Sequence, residues 1–173
     1  MAGDSPLYYW DTCLFLAWLK DEQRKPGEMD GVREIVERHK RREVRLMTSV
    51  LTMTEVLSAK IPIGMETLFG GLMKRISKQG IDTRIAALAH DLRNHYVVNT
   101  DQFRGKTLST PDALHLATAI LYRADEFHTF DDSNNRNSIG LIKLSGNVGG
   151  NDLKICKPNA KNPQLDLRKP GTN

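Results

Sequence analysis

The stretch Ser109–Ile120, which reads STPDALHLATAI, has the pattern of a helix that is buried along most of its length. Thr110 is a good N-cap, Pro111 suits the first helical position, and Asp112 follows in the first turn. The residues after Asp112 are apolar around most of the helix circumference, as in a core helix. An acid at the positive end of a helix dipole is favoured in its ionised form. We therefore expect a charged carboxylate at the start of a buried helix.

A short aromatic segment follows this helix and ends in two acids. We predict a strand over Glu126–Phe130, directly followed by Asp131 and Asp132. A similar arrangement occurs near the beginning of the chain, where the predicted strand Leu7–Trp10 leads into a helix through Asp11. In sheets of parallel strands, functional groups collect outside the carboxyl ends of the strands. The sequence therefore predicts a group of carboxylates at one edge of a sheet.

The rest of the chain alternates between helices and strands. The predicted helices are Val32–Arg42, a short helix containing Glu55, Met65–Lys78 and one that opens at Asp82; the further predicted strands are Val44–Thr48, Leu141–Leu144 and Leu153–Cys156, with Val97–Val98 as a brief extended piece. We expect Ser49 or Thr52 to cap the helix that holds Glu55. This alternation favours an α/β fold with a mainly parallel sheet.

Length and composition are those of an ordinary one-domain protein of 173 residues. We expect the domain to cover residues 1–156 and residues 157–173 to form a flexible tail that is rich in proline. The net charge of +4 is compatible with a nucleic-acid substrate but is also common without one. No apolar run approaches the roughly 20 residues that span a bilayer, and no signal peptide is recognisable, so we expect a cytoplasmic protein that binds no membrane. Cys13 and Cys156 are too few for a disulfide framework and are predicted to be buried thiols.

The acids that stand out share a position at the edge of the predicted sheet; they are Asp11, Glu55, Asp112 and Asp131. Converging carboxylates repel one another unless a cation neutralises them. A hard cation bound through oxygen atoms, with waters kept for substrate phosphates, suggests Mg²⁺ or Mn²⁺. The chemistry that fits best is metal-assisted hydrolysis of a phosphodiester bond. The chain has none of the motifs GxxxxGK[ST], GxGxxG, HExxH and GxSxG, and no paired CxxC, that would support a different assignment.

Each of these residues also has a purely structural interpretation. Glu55 follows Thr52 at the spacing of a capping box. Asp11 could simply cap its helix, and Asp112 could only complement the helix dipole. His115, one turn after Asp112, is more typical of a packed or hydrogen-bonded helix residue than of a metal ligand. The acids Asp131 and Asp132 could be turn formers.

Taken together and in this order, these segments resemble the PIN domain family. The resemblance rests on Asp11-Thr12 after the first strand, Glu55 in a helix after the second, the run Pro111–Ala119 with Asp112, and Thr129-Phe130-Asp131. It spans roughly Leu7 to Cys156. Its most specific part is the last two segments, in which Asp131 follows Asp112 by 19 positions.

The resemblance implies a three-layer α/β/α sandwich with a mainly parallel central sheet and an acidic pocket at its carboxyl edge. It also implies a ribonuclease that depends on Mg²⁺ or Mn²⁺. Carried over residue by residue, the ligands of the metal or of its waters are Asp11, Glu55, Asp112 and Asp131. Thr12 would help to set the geometry of the pocket, and Thr129 is a weaker candidate for the same role. Asp132 is the alternative fourth acid if the register slips by one residue.

Many bacterial and archaeal members of this family are toxins of toxin–antitoxin pairs. They are held inactive by a small partner protein and are often dimeric. The resemblance therefore also suggests an antitoxin partner and a homodimer for this chain. The chain departs from a compact toxin by the charged segment from Gln23 to Arg42 and by the tail after Lys157.

The leading hypothesis is therefore an endoribonuclease acting on RNA, and three alternatives belong to other classes. One is a catalytically silent PIN-like module that binds RNA or protein. A phosphatase of the haloacid dehalogenase type requires Asp-x-Asp, whereas Thr12 and Cys13 follow Asp11 here. An RNase H-like nuclease begins with an antiparallel meander, which the helix after Asp11 disfavours. Basic candidates for phosphate contacts are Lys60, Arg75, Arg104 and Lys106, although a solvated surface is the more common role for any one of them.

Overall fold

The computed structural model describes residues 5–103, 105–132 and 137–160, with only the main chain of Thr100 and Gln102. In chain order its helices and strands are β1 (Leu7–Trp10), α1 (Thr12–Lys20), α2 (Glu28–Lys40), β2 (Arg45–Ser49), α3 (Leu51–Glu55), α4 (Met65–Met73), β3 (Ser77–Gln79), α5 (Thr83–Val98), α6 (Thr110–Leu121), β4 (Glu126–His128) and β5 (Ile155–Cys156). Short 3₁₀ turns lie at Ser58–Lys60, Thr100–Phe103 and Leu141–Leu144. Within these ranges, no helix combines the length and the apolar character needed to cross a bilayer.

The strands form one parallel sheet in the order β3-β2-β1-β4-β5. Because every pair is parallel, the carboxyl ends of the strands lie at the same edge of the sheet. Asp11 follows β1 directly, and Glu55 ends the helix that follows β2. Asp131 comes shortly after β4. The three strands that precede these acids, β2, β1 and β4, are therefore neighbours in the sheet.

Helices cover both faces of the sheet and give the three layers that were predicted. On one face, α5 and α6 pack on alternate strand residues such as Tyr9, Met47 and Phe127. On the other face, α1, α2 and α4 pack on Trp10 and Leu46. This alternation is the expected consequence of side chains pointing to opposite faces of successive strand residues.

Three segments differ from the predictions. The helix predicted over Met65–Lys78 ends at Met73, and Ser77–Gln79 is the edge strand β3. Leu141–Leu144 is a 3₁₀ turn rather than a strand, and Val97–Val98 is the end of α5 rather than an extended piece. The edge strand was missed because its residues are polar and partly exposed, and only its main-chain pairing with β2 makes it a strand.

The beginnings of two helices, α6 and α3, also differ from the predicted capping. Ser109, not Thr110, is the N-cap of α6, and its hydroxyl accepts a hydrogen bond from the Asp112 N–H over 3.2 Å. Val50, the N-cap residue of α3, makes no side-chain cap hydrogen bond, so the capping box of Thr52 and Glu55 is wrong. Of the two predicted caps, Ser49 does bind the start of the helix, because its hydroxyl accepts from the Leu51 N–H over 3.2 Å. Glu55 is instead the last residue of α3, which leaves its side chain available for contacts elsewhere.

The end of the described chain is tied to α2. Lys157 Nζ donates to Glu28 over 2.9 Å and to Asp132 over 2.6 Å. Gly31 in α2 lies so close to the following segment that an added Cβ would be 2.3 Å from the Pro158 carbonyl oxygen. The proposed boundary after residue 156 and the flexible tail stay predictions, because residues 161–173 lie outside the described part of the chain.

Replacing Gly31 by alanine is expected to destabilise the protein by about 1–3 kcal/mol, because the methyl group must displace main-chain atoms of Pro158. Urea unfolding followed by circular dichroism measures the change. The matched control is Gly71→Ala in α4, where an added Cβ meets nothing within 4 Å and alanine is the better helix former. Equal stabilities of the two variants would contradict this packing.

Candidate active site

Asp11 is the N-cap of α1 and is held by donors from two parts of the chain. Its Oδ1 accepts from the Thr12 N–H over 2.6 Å, and its Oδ2 accepts from the Thr129 hydroxyl over 2.8 Å. The Cys13 thiol also donates to Oδ2, over 3.3 Å. The Asp11 side chain is buried, so these hydrogen bonds replace the water that would otherwise solvate the carboxylate. The capping role predicted for Asp11 is therefore real and coexists with a place at the sheet edge.

Thr129 connects Asp11 with Asp131. Its hydroxyl donates to Asp11 and accepts a hydrogen bond from the Asp131 N–H over 3.0 Å. A carboxylate oxygen of Asp131 accepts from the Leu141 N–H over 3.2 Å. The position of the Asp131 side chain therefore depends on the strand end of β4 and on the loop that follows residue 137.

Glu55 reaches back from the end of α3 to residues on two other helices. Its Oε2 accepts a hydrogen bond from the Thr12 hydroxyl and lies 2.9 Å from His115 Nε2. Because a carboxylate only accepts, His115 Nε2 must carry the proton in that contact. His115 Nδ1 lies 2.6 Å from the Tyr9 hydroxyl, which itself accepts from the Ser49 N–H over 3.0 Å. His115 is thus a buried, hydrogen-bonded helix residue, as predicted, and it orients Glu55.

The charges of this group are coupled. Burial opposes the charged forms of both Glu55 and His115. Their mutual hydrogen bond and attraction, with the Thr12 hydroxyl on Glu55, outweigh burial, so the pKa of Glu55 is lowered and the pKa of His115 is raised. Asp11 and Asp112 also raise the pKa of His115 through their negative charges. His115 therefore lies within the field of three of the four acids.

The pKa of the Asp112 carboxyl is strongly raised. Burial, followed by repulsion from Asp11 and Asp131, raises its pKa from the ordinary 3.8 to about 6, against the lowering effect of the hydrogen bond from the Ser109 hydroxyl. A nearby His115 lowers it slightly. Burial is the largest cause of this shift, and Asp11 and Asp131 add to it because their negative charges act on Asp112.

The acids are held beside one another without forming one compact ligand set. Among the described side chains, no three of these acids bring one oxygen each within 4.8 Å of one another. Asp132 does not belong to the group, because it is exposed and pairs with Lys157 at 2.6 Å. Of the two alternatives for the fourth acid, Asp131 is the one whose charge acts on Asp112.

The basic residues suggested for phosphate contacts do not converge on this edge. Arg75 lines a cavity with Leu7 and Arg45, the first residues of β1 and β2, and so lies at the opposite, amino edge of the sheet. Lys60 is exposed in the 3₁₀ turn after α3, and Lys106 lies three residues before the N-cap of α6. The remaining candidate, Arg104, is outside the described residues.

Comparison with known proteins decides the family. The model of the PIN domain matches residues 8–138, which is well over half of the chain. The chain belongs to the PIN domain family. No curated protein matches the chain.

Solved structures share the fold of this PIN domain at low sequence identity. A toxin–antitoxin complex from Klebsiella pneumoniae matches with a TM-score of 0.54 and 21% identity, covering 86% of this chain and 100% of the other. The structure of VapBC2 from Rickettsia felis, bound to a DNA fragment from its promoter, matches with a TM-score of 0.57 and 14% identity. That match covers 86% of this chain and 98% of the other.

Several residues of the PIN domain site were missed or underrated from the sequence. Ser109, Tyr9 and Cys13 each contact an acid directly or through His115. Ser109 had a recognisable signal, since a serine three residues before an acid at a helix start is a common capping arrangement. Tyr9 had none, because His115 lies more than 100 positions away in the chain. Cys13 lies only two residues after Asp11, but its second partner, Thr129, is also more than 100 positions away.

The raised pKa of Asp112 predicts an unusual dependence of stability on pH in metal-free protein. Between about pH 4 and pH 6 the Asp112 carboxyl binds a proton in the folded state that it has already released in the unfolded state, so the contribution of Asp112 to stability falls as the pH rises through this window. Asp112→Asn removes that ionisation and is expected to be more stable than wild type at pH 7, by roughly 1–3 kcal/mol after screening by solvent. Urea titrations across this pH range in the presence of EDTA measure the difference.

The control for this experiment is Asp132→Asn, because the Asp132 pKa is lowered by its hydrogen bond to Lys157. A lowered pKa stabilises the folded state above the unfolded pKa, so this variant should gain nothing at neutral pH. If wild type and Asp112→Asn showed the same pH dependence, the repulsion at the sheet edge would be excluded.

Proposed function

We propose that this PIN domain is a metal-dependent endoribonuclease that hydrolyses RNA phosphodiester bonds at the edge of its sheet. The residues assigned to the catalytic site are Asp11, Glu55, Asp112 and Asp131. The observation that carries the proposal is the repulsion that Asp112 experiences from Asp11 and Asp131. Folding has collected negative charge at one place and at a cost to stability, which is a common signature of a functional site.

The chemistry of this group fits Mg²⁺ or Mn²⁺. All four side chains offer oxygen, which is the donor that both cations prefer. Mg²⁺ commonly binds through one or two carboxylates and keeps several waters, so a site with separated carboxylates suits it. When bound, such a cation neutralises the acids, polarises a phosphate and activates water.

Each acid is oriented before any substrate arrives, which lowers the cost of assembling the site. Thr12 donates to Glu55 by its hydroxyl and to Asp11 by its N–H, so it fixes two acids at once. Thr129 does the same for Asp11 and Asp131. We assign both threonines to positioning roles, and His115 to the positioning of Glu55.

We further propose that a small antitoxin protein is the natural partner. Support comes from the two solved structures of similar fold, which are a toxin–antitoxin complex and VapBC2. The homodimer stays a prediction. Four apolar residues at helical spacing, Leu68, Leu72, Met73 and Ile76, could have formed a dimer surface. Leu72, Met73 and Ile76 are buried in the core, and Leu68 is exposed.

Cleavage of a mixture of structured RNAs tests the activity. Wild type should cut in Mg²⁺ or Mn²⁺ and not in EDTA, and Asp112→Asn should lower the rate by at least about 100-fold because it removes charge where the cation is held. Asp132→Asn is the matched control and should retain the wild-type rate, since Asp132 is exposed and paired with Lys157. Product ends mapped by sequencing would show which RNA positions are cut.

Metal binding separates the enzyme from a silent module. Calorimetric titration should detect Mn²⁺ binding to wild type and much weaker binding to Asp112→Asn. Wild-type protein that binds Mn²⁺ but cuts no RNA in the mixture would direct the search to a more selective substrate. A protein that neither cuts RNA nor binds Mn²⁺ would refute the proposal.

A further inference from the structure

A second group of metal-ligating side chains lies on β4 and β5, away from the four acids. One ligand atom each of Glu126, His128 and Cys156 falls within 4.8 Å of the other two. His128 Nε2 is 2.7 Å from Glu126 Oε2, and Cys156 Sγ is 3.6 Å from the same oxygen. The group therefore offers a nitrogen, an oxygen and a sulfur atom to one point.

Main-chain pairing places these three side chains. Glu126 and His128 are two residues apart on β4, so they project from the same face of the sheet. Cys156 is the direct partner of His128 across the parallel ladder of β4 and β5. Because strand register sets this arrangement, the convergence does not depend on chance rotamers of long surface side chains.

The three side chains are largely shielded from solvent, and the group is accessible from one side. His128 is 1% exposed, whereas the Glu126 side chain is 23% exposed. The Tyr8 ring packs against the His128 ring at a centroid distance of 4.7 Å. A cation could therefore enter from the Glu126 side and reach a ring that is fixed by its neighbours.

We propose that Glu126, His128 and Cys156 form a binding site for Zn²⁺ or a cation of similar preference, which fastens the short strand β5 to β4. Imidazole, carboxylate and thiolate are the usual zinc ligands, and this mixed donor set disfavours Mg²⁺. A tetrahedral zinc site with bonds of about 2.0–2.3 Å has ligand atoms roughly 3.3–3.8 Å apart, so only small side-chain rotations are needed. The thiol proton leaves to the solvent as the sulfur–metal bond forms. The His128 ring changes to the tautomer protonated at Nδ1, which frees Nε2 from the proton that it donates to Glu126 and lets it bind the metal. Water completes the coordination.

Lys154 allows a test of the proposed site, because its ammonium group competes with a bound cation for the Glu126 carboxylate. Its Nζ lies 2.6 Å from Glu126 Oε1, the oxygen that does not face His128. The Lys154 side chain is 62% exposed, so it can be replaced without disturbing the core. Removing its positive charge should strengthen metal binding, whereas a purely structural ion pair would give no such gain.

The sulfur ligand allows metal binding at this site to be distinguished from metal binding at the acidic pocket. The acids of the pocket are Asp11, Glu55, Asp112 and Asp131, and none of the proposed ligands is among them. The other thiol, Cys13, hydrogen-bonds to Asp11 and serves as an internal control. An optical signal that requires a thiolate ligand therefore reports which cysteine holds the metal.

The experiment is a titration of the full chain with Co²⁺ in excess Mg²⁺, followed by thiolate-to-cobalt charge-transfer absorption and by competition with Zn²⁺. Wild type should show the band at one equivalent, and Zn²⁺ should abolish it. Cys156→Ser should lose the band, and Glu126→Gln should bind at least about tenfold more weakly. Lys154→Gln should bind several-fold more tightly. Cys13→Ser and Asp112→Asn should keep the band, and circular dichroism confirms that every variant is folded.

A thermal melt tests the fastening of β5. Zn²⁺ should raise the melting temperature of wild type and Asp112→Asn, and should leave that of Cys156→Ser unchanged. The proposal is overturned if saturating Co²⁺ gives no thiolate band with wild type, or if the band survives in Cys156→Ser. Loss of the band in Cys13→Ser alone would assign the metal to the other thiol and equally refute it.

Discussion

Negatively charged side chains that meet at one edge of a parallel sheet repel one another, and the rest of the site is arranged around that repulsion. Asp11 is buried, and the pKa of Asp112 is raised by burial and by its acidic neighbours, yet both side chains are held in place. Each of these two acids has a donor close to it in sequence: the main-chain N–H of Thr12 for Asp11, and the hydroxyl of Ser109, three residues earlier, for Asp112. Local sequence thus supplies donors where the sheet supplies the crowding.

Glu55 is the exception, because its partners come from distant elements. The Thr12 hydroxyl donates to it from α1, and His115 contacts it from α6. His115 is in turn bonded to Tyr9 on β1, whose hydroxyl also accepts from the main chain of β2. One buried histidine therefore joins three elements and couples the position of Glu55 to the packing of the sheet. The contacts that position Glu55, a proposed catalytic residue, are therefore also contacts of the protein core.

The order of the strands explains how acids from distant parts of the chain come together in the pocket. The acids that follow strands come from β2, β1 and β4, which are neighbours in the sheet. Asp112 begins α6, the helix that leads into β4. The same strand β4 carries Glu126 and His128 on the face covered by α1, α2 and α4, where we propose a separate cation site. Two different chemistries can therefore share one strand, because side chains on it alternate while its end points to the sheet edge.

The sequence by itself determined the α/β fold, the strand that precedes Asp11, the buried helix that begins near Asp112, and the identity of the candidate acids. These features rest on short-range patterns: hydrophobic periodicity, capping residues and the order of the acidic segments. Only the tertiary structure decided that the charge of Asp131 acts on Asp112 while Asp132 pairs with Lys157, and that Ser77–Gln79 is a strand. It also decided that His115 links Tyr9 to Glu55. The physical reason is that these outcomes depend on partners far away in the chain, whose distances no local pattern encodes.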